Sequence, residues 1–313
     1  MSIPDAVRER VAQLGPQYAG WLERAPHLVA ECAELWGVEV GYAVDSFSQA
    51  LVVRGRRGTE PVVIKVWPQQ HRFVTEERVL RAAEGRGYAL LLEADASRNA
   101  LLLEALGEAL ELPPTETGAD AHVLEVVTRT LMAAWTVPVS AAAAPDAHPA
   151  AVLRGLIEAN PPPVDVPDCQ PAIERALLYA QHRLDDSRPE DDVLLHGDPV
   201  PSSFRQVRTL RPGAESGHVL ISPHGLRGER ECDLGVMIRE GTRPLLHAED
   251  AVVLVRGWCA HLAELTGADA ELIWQWGYLQ RVAHGLALVN GPAPLSGRIY
   301  LQTAMALIDR TRR

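Results

Sequence analysis

The run Val62-Val63-Ile64-Lys65-Val66-Trp67 sets the central constraint on this chain. A succession of β-branched residues reads as a buried strand. A charge projecting from such a strand must meet a counter-charge or a ligand, because an unpaired buried charge is expensive. The charge is also singular. Among 30 lysine and arginine residues, Lys65 is the only lysine. Genomic drift toward arginine would leave one lysine by chance. The chemical alternative is that an ammonium is a compact point charge on a slim stem, whereas guanidinium is a wide planar fork. A site that holds one charge between tight partners, such as phosphate oxygens and a carboxylate, cannot exchange them. Whatever the fold, it has to bring an acid or an anion to Lys65.

The surrounding pattern narrows where that partner comes from. Residues 4–36 read as helical, broken at Gly15-Pro16 and at Pro26. Residues 38–67 read as three strands, with "RGRRGTE" as a hairpin turn before the Lys65 strand. "RFVTEERVLRAAEGRG" is a helix of about 14 residues, with Val79, Leu80 and Ala83 on its inner face and Gly85 and Gly87 at its end. "YALLLEADASRNALLLEALG" gives two short strands around the turn "DASRN". After "LPPTETGAD" the chain becomes mostly helical. In "AIERALLYAQHRL", Ile173, Leu177, Ala180 and Leu184 share one face. Within that part, "DVLLHGDPVPSSFRQVRTLRPGAESGHVLISPHG" reads as a short strand, a loop at "HGDPVPSS", and a hairpin of "FRQVRTL" with "HVLIS". "SAAAAPDAHPAA" and "NPPPVDVPD" read as connections. A chain of 313 residues is long for one unit, so two lobes are expected. Residues 1–105 would hold N-terminal helices and a small mixed lobe for nucleotide. Residues 106–313 would form a mainly helical lobe with the catalytic loop and the acceptor site.

Composition excludes several classes of function. Hydrophobic residues make up 47% and charged residues 23%, as in a soluble globular protein. The net charge of −11 argues against a nucleic-acid partner and fits a cationic or neutral small molecule. There is no apolar run of about 18 residues and no secretory pattern, so no membrane is expected and the location is expected to be cytoplasmic. Cys32, Cys169, Cys232 and Cys259 form no CxxC and read as reduced structural thiols.

The order of elements matches the kinase template: a strand lysine, an acid on the next helix, a catalytic-loop Asp, then a metal-binding Asp after a later strand. Lys65 would hold the α- and β-phosphates of ATP. Its partner would be Glu76 or Glu77, with Glu76 favoured because Val79, Leu80 and Ala83 then point inward. In "LLLEALG" the backbone of Glu104, Ala105 and Leu106 falls where adenine would be bound. Asp198 in "LLHGD" would orient or deprotonate the acceptor hydroxyl. Taken alone, Gly-Asp-Pro is ordinary turn chemistry.

These segments resemble the aminoglycoside/hydroxyurea antibiotic resistance kinases, the streptomycin 6-kinase group. "GWLERAPHLVAECAELWGV", "VVIKVW", "RAAEGRGYALLLEADASRNALLLEALG", "VLLHGD" and "LISPHGLRGERECDLG" follow in family order over nearly the whole chain. The resemblance implies an α+β, two-lobed protein-kinase-like fold of the aminoglycoside phosphotransferase type. It also implies phosphorylation of a small-molecule hydroxyl, with ATP and magnesium.

Two positions depart from the pattern. The template's Asn five residues after the catalytic Asp is Ser203, and the Asp of an "IDPKG"-like segment is Ser222 in "ISPHG", where His224 replaces the Lys. Neutral Ser is a poor magnesium ligand beside carboxylate and amide oxygens. Asp191, Asp192, Glu229, Glu231 and Asp233 are the nearby carboxylates that could replace the lost ligands. Asp191 and Asp192 also read as loop caps, and Asp233 as a cap at a helix start. No HxxxH or HxH pairs with His196 or His224 to suggest zinc. Three readings stay open: a phosphotransferase impaired at its metal site; a pseudokinase that holds a nucleotide, small molecule or protein partner without transfer; and other chemistry on the same scaffold, with Asp198 as base and no phosphoryl transfer. For the acceptor, the acidic "HAEDAVVL" and Trp258, Trp274 and Trp276 are the candidates. Spaced tryptophans on amphipathic helices are more often core.

Overall fold

The computed structural model describes residues 2–44, 48–111, 121–142, 148–162, 164, 168–291 and 293–308. The chain opens with α1 (Asp5–Gln13), a short 3-10 turn (Pro16–Tyr18) and α2 (Ala19–Trp36). Strands β1 (Glu39–Ala43), β2 (Leu51–Arg57) and β3 (Glu60–Val66) follow, then α3 (Gln70–Ala83), β4 (Leu91–Asp95) and β5 (Ala100–Glu104). These five strands form one antiparallel sheet in the order β1-β2-β3-β5-β4. β3 is therefore the middle strand, with Lys65 opposite Val52 on one side and Leu101 on the other.

Strand periodicity divides the sheet's two faces. Val62, Ile64 and Val66 face α1 and α2, where they pack with Val7, Val11, Trp21, Ala25, Val29 and Cys32. The alternate residues Val63, Lys65 and Trp67 face the other way, toward α3 with its buried Phe73, Val79, Leu80 and Ala83. The alternation that hides the valines under α2 thus delivers the ammonium to the α3 side.

Pro26 does not break the N-terminal helix; α2 runs through it. An interior proline costs a helix one hydrogen bond, and here the burial of Trp21, Ala25, Val29, Cys32 and Ala33 on one stripe outweighs that loss. The Gly15-Pro16 break is real, with Gly15 at φ +116°.

The remainder is α4 (Ala121–Ala134), α5 (Val139–Ala142), α6 (Pro149–Ala159), α7 (Gln170–Asp185), β6 (Val193–Leu195), β7 (Phe204–Gln206), β8 (His218–Leu220), β9 (Leu226–Gly228), α8 (Glu231–Glu240), α9 (Thr242–His247), α10 (Ala251–Thr266), α11 (Ala270–Val289) and α12 (Pro294–Ala306). β7 pairs with β8, forming the expected hairpin. β9, which the sequence pattern does not suggest, pairs with β6. The two ends of "SAAAAPDAHPAA" are helical, not connecting: its start belongs to α5 and its end to α6. Residues 143–147 between them lie outside the described residues, as do 112–120 of "LPPTETGAD" and parts of "NPPPVDVPD". The inward face of α7 centres on Ala172, Ile173, Ala176, Tyr179, Ala180 and Arg183, with Leu177 and Leu184 at its margin.

α8 and α11 cross at two glycines. A Cβ on Gly235 would lie 2.8 Å from the Gly277 nitrogen, and one on Gly277 would lie 2.6 Å from Cβ of Ile238. This backbone contact fixes α8 beneath the β6 loop. All four cysteines are buried free thiols. Among the described residues no helix is long and apolar enough to cross a membrane.

Candidate active site

Lys65 is buried and its ammonium has two partners. It donates to Glu76 Oε1 at 2.7 Å and to Ser222 Oγ at 2.8 Å. Glu76 stands three, four and seven residues before Val79, Leu80 and Ala83, so the helical repeat that buries those three also turns Glu76 inward. Glu77 faces out and pairs with Arg81. The second oxygen of Glu76 accepts from Trp67 Nε1 at 2.7 Å. Trp67 also lies against two cations: Lys65 Nζ is 4.5 Å and the Arg72 guanidinium 5.3 Å from its ring centroid. Burial lowers the Lys65 pKa, and Glu76 opposes that by favouring the charged form.

The second half of the site is the loop after β6. Gly197 takes φ +93° and packs so closely that a Cβ would lie 2.9 Å from Cβ of His224. The loop is anchored from α8. Asp233, fully buried, accepts the backbone N–H groups of His196 and Gly197 at 2.9 Å each and Trp135 Nε1 at 3.1 Å. It does not cap its own helix, whose N-cap position is Arg230 with no side-chain cap. The reading of Asp233 as a helix cap is thus corrected: the first turn of α8 is aimed at the loop, which supplies two N–H donors. His196 bridges the loop to the segment after β8 that carries Ser222. Its Nδ1 accepts from Asp198 N at 3.2 Å, and its Nε2 lies 2.8 Å from the Ile221 carbonyl and donates to it.

Asp198 Oδ1 accepts from Arg239 Nη2 at 2.7 Å. Burial alone would raise the Asp198 pKa, but Arg239, joined by His224 and His196, holds the carboxyl below its ordinary value. Arg239 also binds Glu240 through Nε at 2.8 Å. Its backbone carbonyl and that of Ile238 accept from the buried Arg281. Burial pushes the Arg281 pKa down to about 10. His224 hydrogen-bonds through its backbone N–H to the His196 carbonyl at 2.7 Å, and the two imidazoles stack at 6.3 Å. Burial first, then the charges of Arg72 and His196, lowers the His224 pKa to about 4.

The two serines are neighbours. The Ser203 carbonyl accepts from Ile221 N at 3.0 Å, one residue before Ser222. Ser222 holds φ +59°, in the left-handed region that costs a β-carbon-bearing residue about 1–2 kcal/mol. This donor set does not fit magnesium. The Ser222 hydroxyl is already bound to an ammonium, and the candidate replacement carboxylates are committed elsewhere. Asp192 pairs with Arg227, Glu229 with Arg183 and Trp276, and Glu231 accepts from Asp269 N. Asp191 is exposed on the surface. Among the described residues no three His, Cys, Asp or Glu side chains converge as round a metal.

At the junction after β5, the Glu104 carboxylate accepts from Leu90 N at 2.8 Å and from Arg211. Ala105 and Leu106 are buried, and the Leu106 carbonyl accepts from Arg54 at 3.2 Å. Trp274 and Trp276 are core residues, 2% and 0% exposed. In the acidic "HAED" stretch, Asp250 caps α10 by accepting from Val253 N. Glu240 shares Arg239 with Asp198; the Tyr300 hydroxyl lies 3.5 Å from Glu240, and its ring meets His284 edge-on at 5.1 Å.

Two residues of the site carry little signal in the sequence. Arg72 looks like any polar residue in a first helical turn. Arg239 is the last but one residue of α8, whose residues from Glu231 to Arg239 are all buried, so no periodic face marks it. A charged residue directly after the apolar run Val236-Met237-Ile238 is the available signal.

No curated protein sequence matches the chain. Solved structures do. Choline kinase LicA from Streptococcus pneumoniae superimposes with a TM-score of 0.58 at 13% identity, over 90% of this chain and 99% of that one. A thermostable mutant of aminoglycoside phosphotransferase APH(4)-Ia, solved as a ternary complex with ADP and hygromycin B, gives 0.60 at 13% identity, over 90% and 98%. At such identities the likeness establishes the two-lobed kinase-like fold. The sequence itself matches the aminoglycoside/hydroxyurea antibiotic resistance kinases over residues 37–286, most of the chain. A match of that extent shows that the chain belongs to the aminoglycoside/hydroxyurea antibiotic resistance kinase family.

Proposed function

We propose that the protein is an ATP-dependent phosphotransferase for a hydroxyl of a small, aminoglycoside-like molecule, and that its chemical step is slowed by the two serines. The observation that supports this reading most directly is the buried Lys65–Glu76 pair, connected through Ser222, Ile221 and His196 to the Asp198 loop. A strand lysine held by a helix acid places a point charge at the α- and β-phosphates. Glu104, Ala105 and Leu106 then border the adenine.

In the reaction the acceptor oxygen bonds to the γ-phosphorus while the bond to the ADP oxygen breaks. The acceptor's proton passes to the Asp198 carboxylate, and ADP leaves. Asp198, kept ionised by Arg239, is a weak base. Its contribution is to orient the hydroxyl, which suffices where the transition state is loose and the proton moves late. Magnesium would normally supply charge neutralisation, and removing such stabilisation costs on the order of 10²–10³ per lost donor. Glu240, His284 and Tyr300 border the acceptor side in this reading, with the Glu240 carboxylate held by Arg239.

Transfer from radiolabelled ATP to hygromycin B, other aminoglycosides and choline tests this. Slow labelling of one acceptor, lost in Asp198→Asn, supports the reading. No labelling, together with retained ATP binding, favours the second reading: a pseudokinase that holds nucleotide without transfer. Its support is the pairing of Asp198 with Arg239 and of Ser222 with Lys65.

A further inference from the structure

A polyphosphate brings charge that something must neutralise. At the two positions where the kinase template puts magnesium ligands stand Ser203 and Ser222, and the latter's hydroxyl is occupied by Lys65. Of the carboxylates that could rebuild a cation cage, Asp192, Glu229, Glu231 and Asp233 are bound to arginines, tryptophans or backbone N–H groups, and Asp191 is exposed on the surface. The same region carries a cation that the ordinary arrangement does not require. Arg72, in the first turn of α3, lays its guanidinium 5.3 Å from the Trp67 ring, whose centroid is 4.5 Å from Lys65. Trp67 in turn is fixed by its N–H bond to Glu76. Lysine, arginine, ring and carboxylate are therefore one assembly, in which only Lys65 is ion-paired with Glu76 and Arg72 stacks on the ring. Arg72 also acts electrostatically on Asp198, His196 and His224.

We propose that this cleft binds the phosphates of its nucleotide without a divalent cation, the Arg72 guanidinium and the Lys65 ammonium together supplying the positive charge. Guanidinium suits this role. It is always protonated, it presents a planar fork of donors matched to phosphate oxygens, and it needs no oxygen cage. Trp67 holds the fork in a defined orientation, so little side-chain entropy is lost on binding. The assignment rests on the reading that the cleft takes ATP, and extends it by naming what replaces the metal.

The test is calorimetric titration of ATP, ADP and adenosine into the full chain, once in excess EDTA and once in excess magnesium chloride. ATP and ADP are expected to bind in EDTA with affinities within about threefold of those in magnesium. Arg72→Ala should weaken ATP in EDTA by about 10- to 100-fold, the usual range for charge-assisted bonds to phosphate. Adenosine should bind Arg72→Ala as it binds the parent protein, which shows that the variant is folded. Arg72→Lys should fall between the two. ATP binding that requires magnesium overturns the proposal, as does an Arg72→Ala variant that binds ATP in EDTA as tightly as the parent. Adenosine binding without any gain from phosphates overturns it too, while leaving the nucleoside site intact. No binding of any of the three under either condition overturns the nucleotide reading itself.

Discussion

Arg239 Nη2 lies 2.7 Å from Asp198 Oδ1, so the loop carboxylate proposed to meet the acceptor is already half of an ion pair. The pair has a direction. Arg239 is fixed by α8 and by Glu240, whereas Asp198 sits on a loop, so the arginine sets where the carboxylate points.

Arg239→Met should free that carboxylate and raise its pKa, because burial would no longer be opposed by the guanidinium. The acid limb of the rate–pH profile should move to higher pH, and transfer should fall by about 10-fold or more. The folded pKa of Asp198 is depressed, so in the parent protein the pair contributes stability above the unfolded value of 3.8, lost as pH falls through the folded value. The variant should lose this acid-side dependence in denaturant titrations.

Lys65 tests the strand–helix pair. Lys65→Ala leaves the buried Glu76 with only the Trp67 N–H and should destabilise by about 3–5 kcal/mol. Lys65→Met with Glu76→Gln removes both charges and should cost much less than the sum of the single changes, measured by a double-mutant cycle in urea. Lys65→Arg keeps the charge yet should bind nucleotide more weakly than the parent, since the fork does not fit between Glu76 and Ser222.

Restoring the metal ligands should restore metal dependence. Ser203→Asn with Ser222→Asp is expected to make ATP binding tighten by about 10-fold on adding magnesium, with phosphoryl transfer rising. Each single change should shift it by less than about threefold, because one ligand does not build an octahedral cage. Aspartate tolerates the left-handed backbone at position 222 better than most residues, so folding should survive.

His224 gives a pH window. Its folded pKa of about 4 lies below the unfolded 6.5, so between these values the unfolded chain binds a proton that the folded chain refuses. Stability should therefore fall as pH drops from 6.5 toward 4, by about 1–3 kcal/mol for this group. His196, also depressed by burial, contributes with the same sign. His224→Gln should flatten the curve in that window. The groups that surround it, Arg72, His196, Asp198 and Arg239, stay in place in that variant.

What the sequence discloses follows from periodicity. Period two puts Lys65 on the face opposite Ile64 and Val66, and period 3.6 puts Glu76 with Val79, Leu80 and Ala83. A geometric pair is legible because both partners sit on regular elements. Arg239 is not, because its meeting with Asp198 spans 41 residues and depends on how α8 crosses α11 at Gly235 and Gly277. Asp233 misleads for a related reason. An acid in a first helical turn looks like a cap, and only tertiary placement shows it gripping another loop. Pro26 misleads in the opposite sense, since local propensity yields to burial.

One apolar cluster runs without a break from Trp67 and Phe73, beside the sheet, through Leu124 and Leu131 of α4 to Trp276 and Leu301 in the last helices. Such continuity ties the melting of the strands to that of the helices. Heat should therefore take the chain apart in a single cooperative transition, with circular dichroism and tryptophan emission changing together. A nucleotide seated against the sheet would then also protect helices that do not touch it, and protease resistance at α11 and α12 would report occupancy of the nucleotide site from the acceptor side.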